Sequence, residues 1–137
     1  MGRISADREF PPFARSLPVS PDASHEARRF VSEVLSLHRG RLPEVIDVAV
    51  LLTSELASNA TRHSGSEHPI GLVVRIGTSS MRVSVTDEGS GFNPDEVTVG
   101  HAGWGLMLVR KLSSRWGVNR GERGTEVWFE LDLPEPS

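Results

Sequence analysis

The spacing of apolar residues changes in the middle of the chain, and this change constrains the fold more than any other feature. Between residues 20 and 62 apolar residues recur every three or four positions, which is the spacing of amphipathic helices. Between residues 70 and 87 apolar and polar residues alternate, which is typical of strands with one covered face. The sequence therefore predicts helices packed on one face of a sheet.

Capping and turn residues set the bounds of two predicted helices before this change. Ser20 is a favourable N-cap residue, Pro21 suits the first helical position, and Gly40 ends the first helix. A second helix is predicted from Pro43 to about Arg62. The apolar residues expected to be buried are Ala27, Phe30, Val31, Val34 and Leu35 on the first helix and Val45, Val48, Ala49, Leu52, Leu56 and Ala60 on the second.

The remaining segments predict two hairpins with a helix between them. IGLVVRIG and MRVSVTDEG are joined by the turn GTSS, and WGVNR and GTEVWFELDL are joined by RGERG. Between the hairpins, a polar loop at residues 93–102 precedes GLMLVRKLSSRWG, a helix beginning near Gly105. FARSLPV, near the N-terminus, predicts a short edge strand. The predicted fold class is a two-layer α/β sandwich, with a mixed, mainly antiparallel sheet covered on one face by about three helices.

Length and composition narrow the class of protein further. A chain of 137 residues suits one domain, predicted to span residues 20–137 after an N-terminal arm at residues 1–19. The net charge of −3 argues against direct binding to nucleic acid or to an anionic membrane. The absence of cysteine excludes disulfides and thiolate metal sites. Without a membrane-length apolar run or the apolar core of a signal peptide, the sequence predicts a soluble cytoplasmic protein.

The second helix carries a column of polar residues beside its predicted buried face. Glu55, Asn59 and His63 are four residues apart, so each is rotated by about 40° from the one before. Burying an acid and an amide without partners costs free energy, and a bound polar ligand could provide the partners. The alternative is structural: Glu55 pairs with Arg62 or a neighbouring arginine, and Asn59 caps a local group. The helix alone leaves both interpretations open.

Three glycine-containing motifs follow this helix. In VTDEGSGF, Asp87 ends a strand and is followed by Gly89 and Gly91, which allow the backbone to approach a flat ligand closely. In HAGWGLMLVRK, Gly103 and Gly105 precede a predicted helix whose free N–H groups suit an anion. GTEVWFEL opens the last strand with a glycine and a threonine. Each motif alone is also compatible with an ordinary turn.

Taken in order, these motifs resemble those of one ATP-binding superfamily. E-x-x-x-N-x-x-x-H on a helix, D-x-G-x-G after a hairpin, G-x-G-L before a helix and G-T on a final strand are similar to its N box and three glycine boxes. The superfamily, which has the Bergerat fold, includes DNA gyrase and the sensor histidine kinases, and the likeness spans about residues 20–133. ARRFV, ELASNATRH and GWGLMLVRKLSSRWGV are most similar to segments of the small stand-alone bacterial anti-sigma-factor serine kinases of actinobacterial type.

The resemblance implies a role for each residue that matches a motif. Asn59 corresponds to the asparagine that coordinates the Mg²⁺ bridging the nucleotide phosphates. Glu55 corresponds to the base that accepts the proton of the acceptor hydroxyl or water. Asp87 corresponds to the aspartate that accepts a hydrogen bond from the adenine amine, with Thr125 supporting it through water. His63 is expected to line the pocket without a fixed role.

The glycine motifs complete the implied nucleotide site. Gly89 and Gly91 are expected to let the chain pass beside the base. Gly103, Gly105 and Leu106 are expected beside the phosphates, where a helix begins. The implied cofactors are therefore ATP and Mg²⁺.

The same resemblance implies protein partners. Relatives bind a sigma factor and phosphorylate a serine of a STAS-domain anti-sigma-factor antagonist, so these two proteins are the expected partners, and a homodimer is also expected. Arg28 and Arg29 lie on the first helix, where relatives contact partners, and an arginine side chain suits a phosphoserine or a carboxylate. The alternative is that both are solvated helix charges.

The segment NPDEVTVGHA departs from the pattern of related kinases, whose lids are longer and basic. It contains no Lys or Arg, and its charged residues Asp95 and Glu96 have the wrong sign for holding a γ-phosphate. The predicted activity is therefore that of a slow ATP-dependent serine kinase that also inhibits a sigma factor. Two alternatives stay open: a regulator that binds nucleotide without phosphoryl transfer, and a detached catalytic domain that works with a histidine-bearing partner.

Overall fold

The computed structural model describes residues 12–39, 43–63, 68–87, 101–122 and 124–134, without the side chains of residues 38, 39, 43, 63 and 101–105. Its elements are β1 (Phe13–Leu17), α1 (Ala23–Arg39), α2 (Pro43–His63), β2 (Ile70–Ile76), β3 (Ser80–Asp87), α3 (His101–Leu112), β4 (Arg115–Gly121) and β5 (Gly124–Asp132). Among these residues, none of the helices combines the length and the apolar character needed to cross a lipid bilayer.

The described strands form one sheet in the order β1-β2-β3-β5-β4, and every pairing between neighbours is antiparallel. The edge strand predicted for FARSLPV is confirmed as β1, and both predicted hairpins are present. In the first hairpin the Gly77 N–H donates to the Ser80 carbonyl at 2.8 Å. At the turn of the second hairpin Gly124 has a φ of 148°, a conformation that favours glycine.

The hydrophobic core lies between the sheet and the helices. The buried hydrophobic residues of the helices are Ala23, Ala27, Val31, Val34 and Leu35 on α1, Ala49, Leu52, Leu56, Ala57 and Ala60 on α2, and Leu106 and Val109 on α3. Phe30, Val45 and Val48, which were predicted to be buried, are partly buried and pack at the margin of this core. Because the helices pack on one face of an antiparallel sheet, the predicted two-layer α/β sandwich is confirmed.

A turn stabilised by Ser20 leads into α1. The Asp22 N–H donates to Ser20 Oγ at 3.2 Å, and the Ala23 N–H donates to the Ser20 carbonyl at 3.1 Å. The first hydrogen bond across a full helical turn joins the Glu26 N–H to the Asp22 carbonyl at 3.0 Å. Ser20 therefore caps the turn that precedes α1, and the helix itself begins at Ala23.

The third helix begins earlier than the sequence predicted. Gly103 and Gly105 were expected to precede it, but α3 begins at His101 and both glycines lie within its first two turns. Glycine in a helix interior costs roughly 1 kcal/mol relative to alanine, and this is why the glycines indicated a later start. The predicted polar loop is therefore wrong at His101 and Ala102, and its residues 93–100 lie outside the described ranges.

The face of the sheet opposite the helices is organised around one tryptophan. The Arg82 guanidinium carbon lies 3.9 Å from the centroid of the Trp128 ring, a cation–π contact. Arg82 also pairs with Glu130, with 3.3 Å between Nη1 and Oε2. Hydrogen bonds to Asp132 and then to Glu130 raise the pKa of Arg115 above its ordinary value, so this face carries a small network of charges.

Candidate functional site

Buried polar side chains mark the candidate site. Among the described residues, the buried polar or charged ones are Thr53, Asn59, Ser84, Asp87 and Thr125. Burying such groups costs free energy unless they are hydrogen-bonded or serve a ligand. Three of the five come together in one place, and these three are residues that the sequence assigned to nucleotide binding.

Strand register brings Asp87 and Thr125 together. Asp87 is the last residue of β3, Thr125 is the second residue of β5, and the two are paired directly across the antiparallel ladder. Residues paired in this way have Cβ atoms roughly 4.5–5.5 Å apart. Both side chains are buried, with exposed fractions of 4% each. The two hairpins therefore place a carboxyl group and a hydroxyl group side by side at one end of the sheet.

Helix α2 adds Asn59 to this pair. Asn59 and Asp87 line the same small cavity, whose other walls are apolar: Leu56, Ala60, Val85 and Val127. The cavity volume is about 10 Å³, which is close to the space of one water molecule and too small for a nucleotide. It is therefore the interior contact between α2, β3 and β5, and a larger ligand would have to bind beside it.

The Asn59 amide is incompletely satisfied. Its side chain is 1% exposed, and its Oδ1 atom accepts a hydrogen bond of 2.9 Å from Nη2 of Arg62. Its Nδ2 atom is buried and has no hydrogen-bond partner among the described residues. An orphaned buried amide is rare in folded proteins, and a ligand is one physical explanation for it. The residues present therefore fit a polar ligand that contacts Asn59.

Glu55 lies one helical turn before Asn59 and is half-buried. The structural alternative for the polar column was that Glu55 pairs with Arg62 or a neighbouring arginine and that Asn59 caps a local group. Among the described residues no ion pair joins Glu55 to an arginine. Asn59 does have a local partner, because it accepts a hydrogen bond from Arg62. Glu55 lies on the side of α2 that carries Asn59.

The other residues assigned to the site differ in how far the structure describes them. Gly89 and Gly91 lie outside the described residues, and so does the side chain of His63, the last residue of α2. Leu106 is buried, with an exposed fraction of 6%, and packs in the core. The backbone N–H of Gly103 belongs to the first turn of α3 and has no partner within the helix, whereas that of Gly105 lies in the second turn.

Arg28 and Arg29 line a groove between α1 and α2. The groove has a volume of about 540 Å³, and Arg28, Arg29 and His25 contribute basic groups to it. Glu33 and Asp47 contribute acidic groups to it. The remaining lining residues are Ser32, Ile46 and Val50. None of these residues lines the cavity between Asn59 and Asp87, so the groove is a separate surface. The sequence assigned only the two arginines to a partner surface.

The antiparallel sheet, the helices on one face and the buried polar residues at their contact are those of an ATPase-type domain. A family model described as the histidine kinase-like ATPase domain matches residues 17–131, and the chain belongs to that family. The family resemblance drawn from the N box and the glycine boxes is therefore confirmed. No protein with a curated description matches the chain.

Solved structures share this fold. The RsbU and RsbW domains of Rv1364c from Mycobacterium tuberculosis superpose with a TM-score of 0.71 and 23% identity, over 92% of this chain and 34% of that chain. The histidine kinase domain of the Erythrobacter litoralis EL346 blue-light activated kinase gives a TM-score of 0.53 and 24% identity, over 85% of this chain and 61% of that one. The chain thus spans about a third of the length of the mycobacterial structure.

A second structure of the same Erythrobacter litoralis EL346 kinase also matches. It is 28% identical over 64% of this chain and 31% of that chain, with a TM-score of 0.50. Together these likenesses show that the chain has the fold of a histidine kinase-like ATPase domain, an ATP-binding fold of the kinase type.

Proposed function

We propose that this protein is an ATP-dependent serine kinase of the anti-sigma-factor type. It would bind a sigma factor and phosphorylate a STAS-domain antagonist of that binding. The observation that carries the proposal is the meeting of Asn59 with Asp87 and Thr125, in a chain that belongs to the ATPase-domain family. An amide oxygen suits Mg²⁺, and a buried carboxylate suits the amine of a base.

Each of these residues would have one task. Asp87 would accept a hydrogen bond from the adenine amine, and Thr125, opposite it in the ladder, would support it through water. Asn59 would provide an oxygen ligand to Mg²⁺, which neutralises phosphate charge when it is bound. Glu55 would accept the proton of the acceptor serine as its hydroxyl oxygen attacks the γ-phosphorus. The bond from that phosphorus to the oxygen bridging the β- and γ-phosphates would break, and ADP would leave. Positioning and charge neutralisation would supply most of the catalysis.

The groove between α1 and α2 would bind the protein partners. It is lined by Arg28 and Arg29, whose guanidinium groups can hold a carboxylate or a phosphoserine through two parallel hydrogen bonds. Its apolar residues Ile46 and Val50 would contact apolar side chains of a partner. Because a sigma factor and its antagonist act in the cytoplasm, the protein is expected there, and a homodimer is also expected.

Two variants separate binding from catalysis. In calorimetric titrations with ATP and Mg²⁺, Asp87→Asn should weaken binding about 10- to 100-fold, because a hydrogen bond to a charged acceptor contributes about 1.5–3 kcal/mol. Asp132→Asn is the matched control, since Asp132 also lies at a strand end but is exposed. Glu55→Gln should retain binding and lose at least about 100-fold in phosphate transfer from labelled ATP to a STAS-domain protein.

Other outcomes would select a different function. Absence of ATP binding by the wild-type protein would contradict the kinase assignment. ATP binding without transfer would favour a nucleotide-dependent binding regulator, an alternative that the absence of Lys and Arg from residues 93–102 supports. Transfer that produces an acid-labile phosphohistidine on the partner would identify a detached histidine-kinase-like catalytic domain.

A further inference from the structure

The hydrogen bond between Arg62 and Asn59 occupies the atom that the proposed metal site needs. Arg62 Nη2 donates to Asn59 Oδ1 at 2.9 Å across one turn of α2. A guanidinium group contains only donors, so its partner in the amide has to be the oxygen. This contact fixes the orientation of the amide and leaves Nδ2 buried without a partner among the described residues. Arg62 therefore holds the Asn59 amide by its oxygen.

Arg62 lies between two cavities. It does not line the small cavity that Asn59 shares with Asp87. It lines a groove of about 350 Å³ between the turn before α1 and the end of α2. Four other residues of this groove carry hydroxyl groups: Ser20, Ser24, Ser58 and Thr61. The Arg62 side chain is exposed, so it can leave Asn59 for this groove, where hydroxyl oxygens can accept its hydrogen bonds.

We propose that Arg62 competes with Mg²⁺ for Asn59 Oδ1 and releases this oxygen when the metal binds. The inference rests on the nucleotide site proposed above. An amide oxygen has two lone pairs. If it bound Mg²⁺ and Arg62 at the same time, however, the metal ion and the guanidinium nitrogen would lie no more than about 5 Å apart. At that separation two positive charges repel each other. Arg62 is thus a positioning residue that raises the Mg²⁺ concentration needed for tight nucleotide binding.

Calorimetric titration tests the competition directly. ATP is titrated into the full chain with magnesium chloride and with a chelator, and the ratio of the two affinities measures the benefit from Mg²⁺. Arg62→Met keeps a long apolar side chain but removes the donors and the charge. It should increase the ratio about 2- to 10-fold, the amount expected for one lost competing hydrogen bond. Arg75→Met, which removes an exposed arginine of β2, is the matched control and should leave the ratio unchanged.

A double-mutant cycle with Asn59→Ala separates competition at the amide from a general effect of charge. If Arg62 acts through the Asn59 oxygen, Arg62→Met has no effect on the ratio in the Asn59→Ala background. An equal increase in both backgrounds would overturn the proposal, as would an unchanged or lower ratio in Arg62→Met alone. A wild-type protein that binds ATP equally with and without Mg²⁺ would overturn it while leaving the nucleotide site intact. No ATP binding at all would remove the proposed function together with this inference.

Discussion

Trp128 packs over Gly117 on the neighbouring strand, and this contact depends on the absence of a side chain at position 117. The two residues are paired across β4 and β5. A Cβ atom at Gly117 would lie 2.7 Å from Cζ2 of Trp128, which is closer than real Cβ contacts allow. The Arg82 guanidinium group in turn lies over the ring of Trp128. A single glycine thus positions the aromatic residue at the centre of the outer face.

Gly117→Ala should therefore destabilise the protein. Displacing an indole ring that is held between Gly117 and Arg82 is a case of overpacking, which costs about 1–3 kcal/mol. Urea unfolding followed by tryptophan fluorescence measures this change. Gly121→Ala, on the same strand, is the control, because a Cβ there meets nothing within 4 Å. Gly121→Ala should leave the free energy of unfolding unchanged within about 1 kcal/mol or increase it. Equal destabilisation by the two substitutions would contradict the packing argument.

The sequence predicted the polar residues of α2 but missed the contact between Arg62 and Asn59. It offered an ion pair between Arg62 and Glu55 as the structural alternative, although these residues are two helical turns, or roughly 10 Å, apart along the axis. Residues three apart lie only about 5–6 Å from each other on a helix surface. The spacing of three residues therefore favoured Asn59 over Glu55 as the partner of Arg62. This spacing would have predicted the contact.

At the scale of secondary structure, α2 shows how strictly the helical period controls burial. Leu51 and Leu52 are neighbours in sequence, but Leu51 is 41% exposed and Leu52 is fully buried in the core. One residue of helix is a rotation of about 100°, enough to move a side chain from the core to the surface. The face that carries Leu52 also carries Leu56, which lines the cavity shared by Asn59 and Asp87.

The two leucines give a matched test of this helix. Leu52→Ala should reduce the free energy of unfolding by about 2–5 kcal/mol, because it removes buried methyl groups and leaves a cavity. Leu51→Ala, which makes the same chemical change on the exposed side, should change it by no more than about 0.5–1 kcal/mol. Chemical denaturation of both variants measures the difference. A similar cost at both positions would mean that the face of α2 is assigned incorrectly.

Elements were easier to predict from the sequence than the contacts between them. Local signals define α1, α2 and both hairpins, because capping residues, apolar spacing and turns act within a few residues. The start of α3 was misplaced, since Gly103 and Gly105 are poor helix formers that nevertheless lie within the helix. The pairing of β3 with β5, which places Asp87 opposite Thr125, joins two separate hairpins. No local signal specifies that register, and only the family resemblance suggested that the two residues meet.

At the scale of the whole molecule, the candidate site lies where both layers of the sandwich end. β3 ends at Asp87, Thr125 lies opposite it as the second residue of β5, and α2 adds Asn59 in its last turns. In the proposed function, the strands would provide an acceptor for a base, and the helix would provide an oxygen for a metal. Neither layer contains both groups, so ligand binding at this site should stabilise the contact between the layers and therefore the folded state as a whole.

Thermal unfolding with different nucleotides tests this coupling and the role of Asp87 together. At an ATP concentration about 100 times its Kd, with Mg²⁺, the folded state gains about 2.7 kcal/mol. For a domain of this size the melting temperature should then rise by about 10 °C. GTP at the same concentration should raise it by no more than about 2 °C, because guanine presents a carbonyl oxygen where adenine has its amine, and a carboxylate cannot donate to it. Asp87→Asn should narrow this difference, since an amide can donate to that oxygen. Equal shifts of the melting temperature with ATP and GTP in the wild-type protein would mean that Asp87 does not distinguish adenine from guanine.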